Sequence, residues 1–154
     1  MLTKEEIEKR TDQAVDFFEA GYNCAQSVLL AYADLYGLDN EMAAKMATSF
    51  GGGMGRLREV CGAVSGMFMV LGFEYPFIDT KDKASKNENY KKVQETAAEF
   101  KASMSSIICA DLLSLKREAQ HYESAERTKE YYATRPCAKC VAIAAEITGK
   151  NITK

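Results

Sequence analysis

Cys61-Gly62-Ala63-Val64-Ser65-Gly66-Met67-Phe68-Met69-Val70-Leu71 is the stretch on which the fold turns. It carries no charge, and its apolar residues run nearly all round a helical wheel, as in a helix enclosed by others rather than one lying half in water. A central buried helix is predicted. Gly62 and Gly66 stand four apart on one face, where a second backbone can come close. Gly and Ser interrupt the run, which is shorter than the roughly 20 apolar residues of a bilayer span, so no membrane crossing is expected.

Upstream, Thr3 and Glu6 read as a capping box for a helix over about residues 4–19, with Ile7, Ala14, Phe17 and Phe18 at helical spacing. Asn23 caps a second helix that stops at Gly37, and Asp39 caps a third through Ala43, Ala47 and Phe50. Residues 51–60 read as loop. Downstream, Pro76 and residues 79–89 make a second loop, and Ser85 with Glu88 boxes the start of a long helix carrying Tyr90, Val93, Ala97 and Phe100. Ile107, Ile108, Leu112 and Leu113 form a short buried segment, helix or strand. Tyr122, Ala125, Thr128 and Tyr132 predict a charged outer helix, and Pro136 suits the first position of a last helix through Ile143 and Ile147. No run alternates with a period of two. The expected architecture is all-α, a compact bundle of about six helices forming one domain over residues 1–154.

Composition narrows the function. Apolar residues make up 47% and charged residues 27% of the 154, the balance of a chain that folds. With a net charge of −2 and Lys/Arg scattered among Asp/Glu, no basic face fits a run of phosphates, which argues against nucleic acid. The N-terminus lacks the basic-then-apolar pattern of a secretory signal. Five cysteines cannot all pair within one chain, so a reducing cytoplasmic setting with free thiols, reactive thiols or metal ligands is expected.

Three of the cysteines fall where chemistry can use them. Cys24 follows Asn23, Cys61 follows a glycine-rich loop and Cys137 follows Pro136, so each stands in the first turn of a predicted helix. There the free backbone N–H groups and the positive end of the helix dipole favour a thiolate. Cys137 and Cys140 make a CxxC with Lys139 between them, although no βαβ pattern surrounds it and no second CxxC completes a zinc site. Cys109, among apolar neighbours, reads as core. Gly51-Gly52-Gly53-Met54-Gly55-Arg56 lets the backbone approach a ligand closely, yet lacks the Lys-Ser/Thr ending of a P-loop and follows no predicted strand. Gly52, Gly53 and Arg56 are the substrate-binding candidates, and Arg56 and Arg58 stand ready to serve the Cys61 thiolate or an anionic substrate. His121, the single histidine, reads as solvent-facing.

Gly21-Tyr22-Asn23-Cys24-Ala25-Gln26-Ser27-Val28, the glycine loop 51–56, Cys61–Gly66, Ser106-Ile107-Ile108-Cys109, and Cys137 ahead of Val141–Glu146 reach in order from about residue 20 to residue 147. In these stretches the chain resembles the C_GCAxxG_C_C family, small redox-active proteins named for spaced cysteines and a CGAxxG motif. The resemblance implies a shared function for Cys24, Cys61, Cys109 and Cys137, which moves Cys109 out of the core reading and leaves Cys140 outside the pattern. The expected function is thiol–disulfide exchange or electron transfer, with Cys61 or Cys24 as the reactive thiolate and another of the four resolving it. The alternative cofactor is a metal ion or iron–sulfur cluster on the same four sulfurs, and a third reading is a helical interaction protein with packing cysteines. The expected partner is a redox protein or a small molecule, with self-association left open.

Overall fold

The computed structural model describes residues 1–154. Eight right-handed helices follow one another: α1 Lys4–Glu19, α2 Cys24–Tyr32, α3 Asn40–Ala47, α4 Gly62–Glu74, α5 Lys83–Met104, α6 Cys109–Leu112, α7 Lys129–Thr134 and α8 Cys137–Asn151. Short 3-10 turns at Ala33–Tyr36 and Thr48–Phe50 extend α2 and α3. The only β-type pairing is an isolated antiparallel bridge between Val60 and Ile108. The chain is therefore all-α, with eight helices where periodicity gave about six. The difference lies mainly in α6 and α7, four and six residues long, which are too short to show a 3.6-residue period.

The local signals at the N-terminal end form as expected. Thr3 and Glu6 exchange hydrogen bonds at the start of α1, Asn23 and Gln26 do the same for α2, and Asp39 accepts from the Met42 N–H. Other boundaries move. Asp82, rather than Ser85, caps α5 by accepting from the Ser85 N–H and hydroxyl, so the long helix begins at Lys83. Pro136 is the N-cap of α8 and not its first helical residue. The outer helix expected around Tyr122 is absent: helix begins only at Lys129, beyond the Thr128 cap. Residues 114–128 follow irregular backbone that is tied down by arginines rather than by a helical ladder.

One cluster of 23 buried residues draws on α1, α2, α3, α4, α5 and α8. Helix α4 buries Gly62–Met67, Val70 and Leu71, while Phe68 and Met69 keep partial exposure. Its apolar circumference is thus wider than the face it buries. The Tyr32 hydroxyl, fully buried on α2, donates to the Ala145 carbonyl of α8 at 2.6 Å, satisfying a polar group that would otherwise be costly inside the core. No helix is long and apolar enough to cross a membrane.

Gly62 and Gly66 set the distance between α4 and α2. A Cβ at Gly66 would sit 2.6 Å from the Ala25 carbonyl oxygen and 3.0 Å from the Val28 Cβ. Alanine is the better helix former by roughly 0.5–1 kcal/mol, but here the clash with backbone decides the sign. Gly66→Ala is expected to destabilise by about 2–3 kcal/mol, read as a lower denaturant midpoint with unchanged slope. A neutral or stabilising result would mean that α2 and α4 pack further apart.

Candidate functional site

The thiols are brought together by three short devices. Backbone hydrogen bonds from Cys61 N–H to the Ile107 carbonyl at 2.8 Å and from Cys109 N–H to the Glu59 carbonyl at 2.7 Å stitch residues 58–61 beside 107–110. That seam sets Cys61 and Cys109 on adjoining backbones. Helix α2 begins hard against α4, where a Cβ on Gly62 would lie 3.0 Å from the Cys24 Cβ. Finally, α8 starts at Cys137 and carries Cys140 one turn on.

The glycine loop forms the wall. Gly55 N–H bonds to the Gly51 carbonyl at 2.9 Å, and Gly52, Gly53, Met54, Gly55 and Arg56 all have positive φ, as does Arg58 at +60°. This left-handed run costs a non-glycine residue about 1–2 kcal/mol, so three glycines among its first four residues are what make it affordable. A Cβ on Gly53 would stand 2.6 Å from the Cys109 Cβ and 2.8 Å from the Arg58 Cα. Gly53 therefore lets Arg58 and Cys109 close over the same space.

All five cysteines line one cavity of about 60 Å³, together with Gly52, Gly53, Arg58, Arg127, Tyr131 and Arg135 among others. No disulfide is formed. Cys61, Cys109 and Cys140 are 5%, 8% and 2% exposed, whereas Cys24 and Cys137 are half-buried. The four pattern cysteines share one placement: Cys24, Cys109 and Cys137 are the first residues of α2, α6 and α8, and Cys61 is the N-cap of α4. Sequence reading found three of these helix starts and missed Cys109, because α6 is a single turn.

The sulfurs interact two by two. Cys24 serves as hydrogen-bond donor to Cys137, the largest influence on both: it raises Cys24, which burial raises further, and lowers Cys137. Burial opposes the lowering, and the Arg135 charge, the Tyr131 hydroxyl and the Arg127 charge add to it, bringing the Cys137 thiol down to about 6. Lys139, the cation expected to act on the CxxC, is exposed, and the cations acting on Cys137 are Arg135 and Arg127. In the second pair Cys140 donates to Cys61, which lowers Cys61 against the opposing effect of burial, with the Ala63 and Val64 N–H groups helping, and raises Cys140. Cys109 is pushed up by burial, and the Arg58 Nη1, donating to its sulfur at 3.4 Å, pulls the other way.

Of the two cysteines expected as reactive thiolate, Cys24 is thus the protonated partner of its pair, and Cys61 is depressed but nearly sealed. Cys140, which the family pattern leaves aside, lies against Cys61. Gly52 and Gly53 line the thiol cavity; Arg56 does not, donating instead to the His121 carbonyl at 2.7 Å on the outer side. His121 is exposed. Arg127 and Arg135 escaped sequence reading. The spacing Arg135-Pro136-Cys137 was a usable signal for one of them, since a cation two residues ahead of a helix-start cysteine lies near its sulfur. No group of three or more His, Cys, Asp or Glu residues is disposed to hold a metal ion.

Residues 22–151 match the model of the family described as "Putative redox-active protein (C_GCAxxG_C_C)". No curated protein and no solved structure matches the chain.

Proposed function

The chain belongs to the C_GCAxxG_C_C family, and from that premise we propose that residues 1–154 act as one helical thiol–disulfide exchange domain in which Cys137 is the attacking thiolate and Cys24 the resolving thiol. The observation that carries this reading is the Cys24–Cys137 pair, in which a depressed, half-buried thiol has a protonated partner beside it. Exchange needs both: a thiolate that attacks a disulfide sulfur and a second sulfur to displace it.

The Cys137 thiolate attacks one sulfur of a substrate disulfide, forming a mixed disulfide and expelling the other half as a thiolate. Cys24 gives up its proton to a departing sulfur and attacks Cys137 in turn. A Cys24–Cys137 disulfide and two substrate thiols or thiolates result, and two electrons have passed from protein to substrate. Cys61 and Cys140 form a second, deeper pair that can exchange with the first, and Cys109, held by Arg58, is the fifth thiol of the same cavity.

The test is peptide mapping of anaerobically purified, fully reduced protein after brief exposure to 2-hydroxyethyl disulfide. A Cys24–Cys137 linkage is expected to form first. Metal analysis and an optical spectrum of the same preparation accompany it. A first linkage between other cysteines, or a stoichiometric metal ion or cluster released on blocking the thiols, would overturn this reading.

A further inference from the structure

The arginines of this chain divide sharply. Arg10 and Arg117 are ion-paired, with Asp34 and Glu59. The remaining four, Arg56, Arg58, Arg127 and Arg135, have no carboxylate partner, and all four line a crevice of about 270 Å³ beside the thiol cavity. The crevice shares Asn23, Gly52, Arg58, Arg127, Tyr131 and Arg135 with that cavity. No Asp or Glu lines either space. Unpaired cations repel one another, and Arg56 is lowered by burial first and by Arg58 and Arg135 next.

Arg58 is the decisive residue. It is 2% exposed and adopts a left-handed backbone conformation that a non-glycine residue pays for in strain. Its Nε donates to Gln120 at 2.8 Å and its Nη1 to Cys109. Its Nη2 is buried with no acceptor, which is costly for a charged donor unless something arrives to accept it. Arg135 has only the face of Tyr131 at 4.7 Å, and no side chain caps the start of the 15-residue α8, leaving backbone donors free there. Arg127 is held by the Phe18 and Tyr22 carbonyls, each at 3.0 Å, which fixes its position and leaves its charge unneutralised.

We propose that the crevice and cavity bind the carboxylate of a small organic disulfide, with Arg58 and Arg135 as its donors and Arg127 as a fixed positive charge, so that the substrate of the exchange reaction is anionic. This rests on the exchange reading for the reaction and on the arginines alone for the charge. A guanidinium presents paired donors that match an oxyanion, and the crevice that gathers the anion shares Arg58, Arg127, Tyr131 and Arg135 with the cavity that Cys137 lines.

The experiment compares 3,3′-dithiodipropionate, 2-hydroxyethyl disulfide and cystamine as oxidants of the reduced protein at one ionic strength. The dianion is expected to react faster than the neutral disulfide by roughly tenfold or more, as one charge-assisted hydrogen bond supplies, with cystamine slowest. The readout is the anion-to-neutral rate ratio, which cancels any change in thiolate fraction. Arg135→Gln is expected to collapse that ratio. Arg58→Lys, which keeps the charge but loses the second donor, is expected to lower it in protein whose circular dichroism is unchanged.

Equal rates for the dianion and the neutral disulfide overturn the anionic substrate and leave exchange standing. If no disulfide reacts, the exchange reading fails and takes this substrate with it. A second arm separates the anion site from the chemistry: inorganic phosphate should slow alkylation of Cys137 by neutral iodoacetamide. Phosphate protection without a dianion advantage would mean that the arginines hold a free oxyanion, which also overturns the substrate proposed.

Discussion

Alkylation of the reduced protein at pH 6 is expected to fall on Cys137 about tenfold faster than on an ordinary thiol. With its thiol brought down to about 6, about half of Cys137 is thiolate at that pH, against well under about 1% for a free cysteine near 8.5. Nucleophilicity falls with basicity and returns roughly a tenfold loss, so a gain of about tenfold survives. At pH 7 the two effects nearly cancel, which makes the acidic measurement the informative one. Cys137→Ser should remove the fast phase, whereas Cys24→Ala should keep it, move its midpoint upward for want of the hydrogen-bond donor, and leave a mixed disulfide unresolved.

The same pair ties stability to pH. Cys137 has a lower pKa folded than unfolded, so its contribution is present above the unfolded value and is lost as pH falls toward 6. Cys24 is raised instead, so unfolding frees its proton and is favoured in alkali. Reduced protein should gain stability from pH 6 toward 8 and lose it above. An alkylation midpoint for Cys137 near that of free cysteine would remove the basis for naming it the nucleophile.

Gly53→Ala is expected to be the most damaging single methyl in the molecule. The new Cβ would meet the Cys109 Cβ at 2.6 Å, the Arg58 Cα at 2.8 Å and the Glu59 nitrogen at 2.9 Å, at a φ of +68°. Left-handed backbone costs about 1–2 kcal/mol for alanine, and overpacking adds about 1–3 kcal/mol. The sum is about 2–5 kcal/mol, a fall in Tm of roughly 5–15 °C at this size. Gly55 supplies the control. It has a similar φ, +60°, but only the Ser49 carbonyl, 4.0 Å away, near its missing Cβ. Gly55→Ala should therefore show the backbone cost alone, about 1–2 kcal/mol, and equal losses at the two positions would mean that Gly53 is needed only for its conformation.

Much of the fold and part of the site could be read locally. The helical class, the caps at Thr3, Asn23 and Asp39, and the helix-start positions of Cys24, Cys61 and Cys137 depend on residues within about a turn of one another, and such signals survive in one dimension. Cys109 looked like core because its helix is one turn long; only the family resemblance moved it. The reading failed at 114–128, where Tyr122, Ala125 and Thr128 have helical spacing but Arg56 holds the backbone, its Nε donating to the His121 carbonyl and its carbonyl accepting from the Gln120 N–H, while Arg56 and Arg58 both donate to the Gln120 side chain. Propensity gave way there to tertiary hydrogen bonds.

What the sequence by itself determined, then, is an all-helical chain whose pattern cysteines stand where helices begin, because capping and periodicity are short-range. The tertiary structure decided which sulfurs meet. Cys140 against Cys61, Cys24 against Cys137, and four unpaired arginines around one crevice join residues from distant parts of the chain, and no local rule links them. Those contacts follow from how closely α2, α4 and α8 pack, and Gly62 and Gly66 fix the spacing of α2 and α4 by having no side chain.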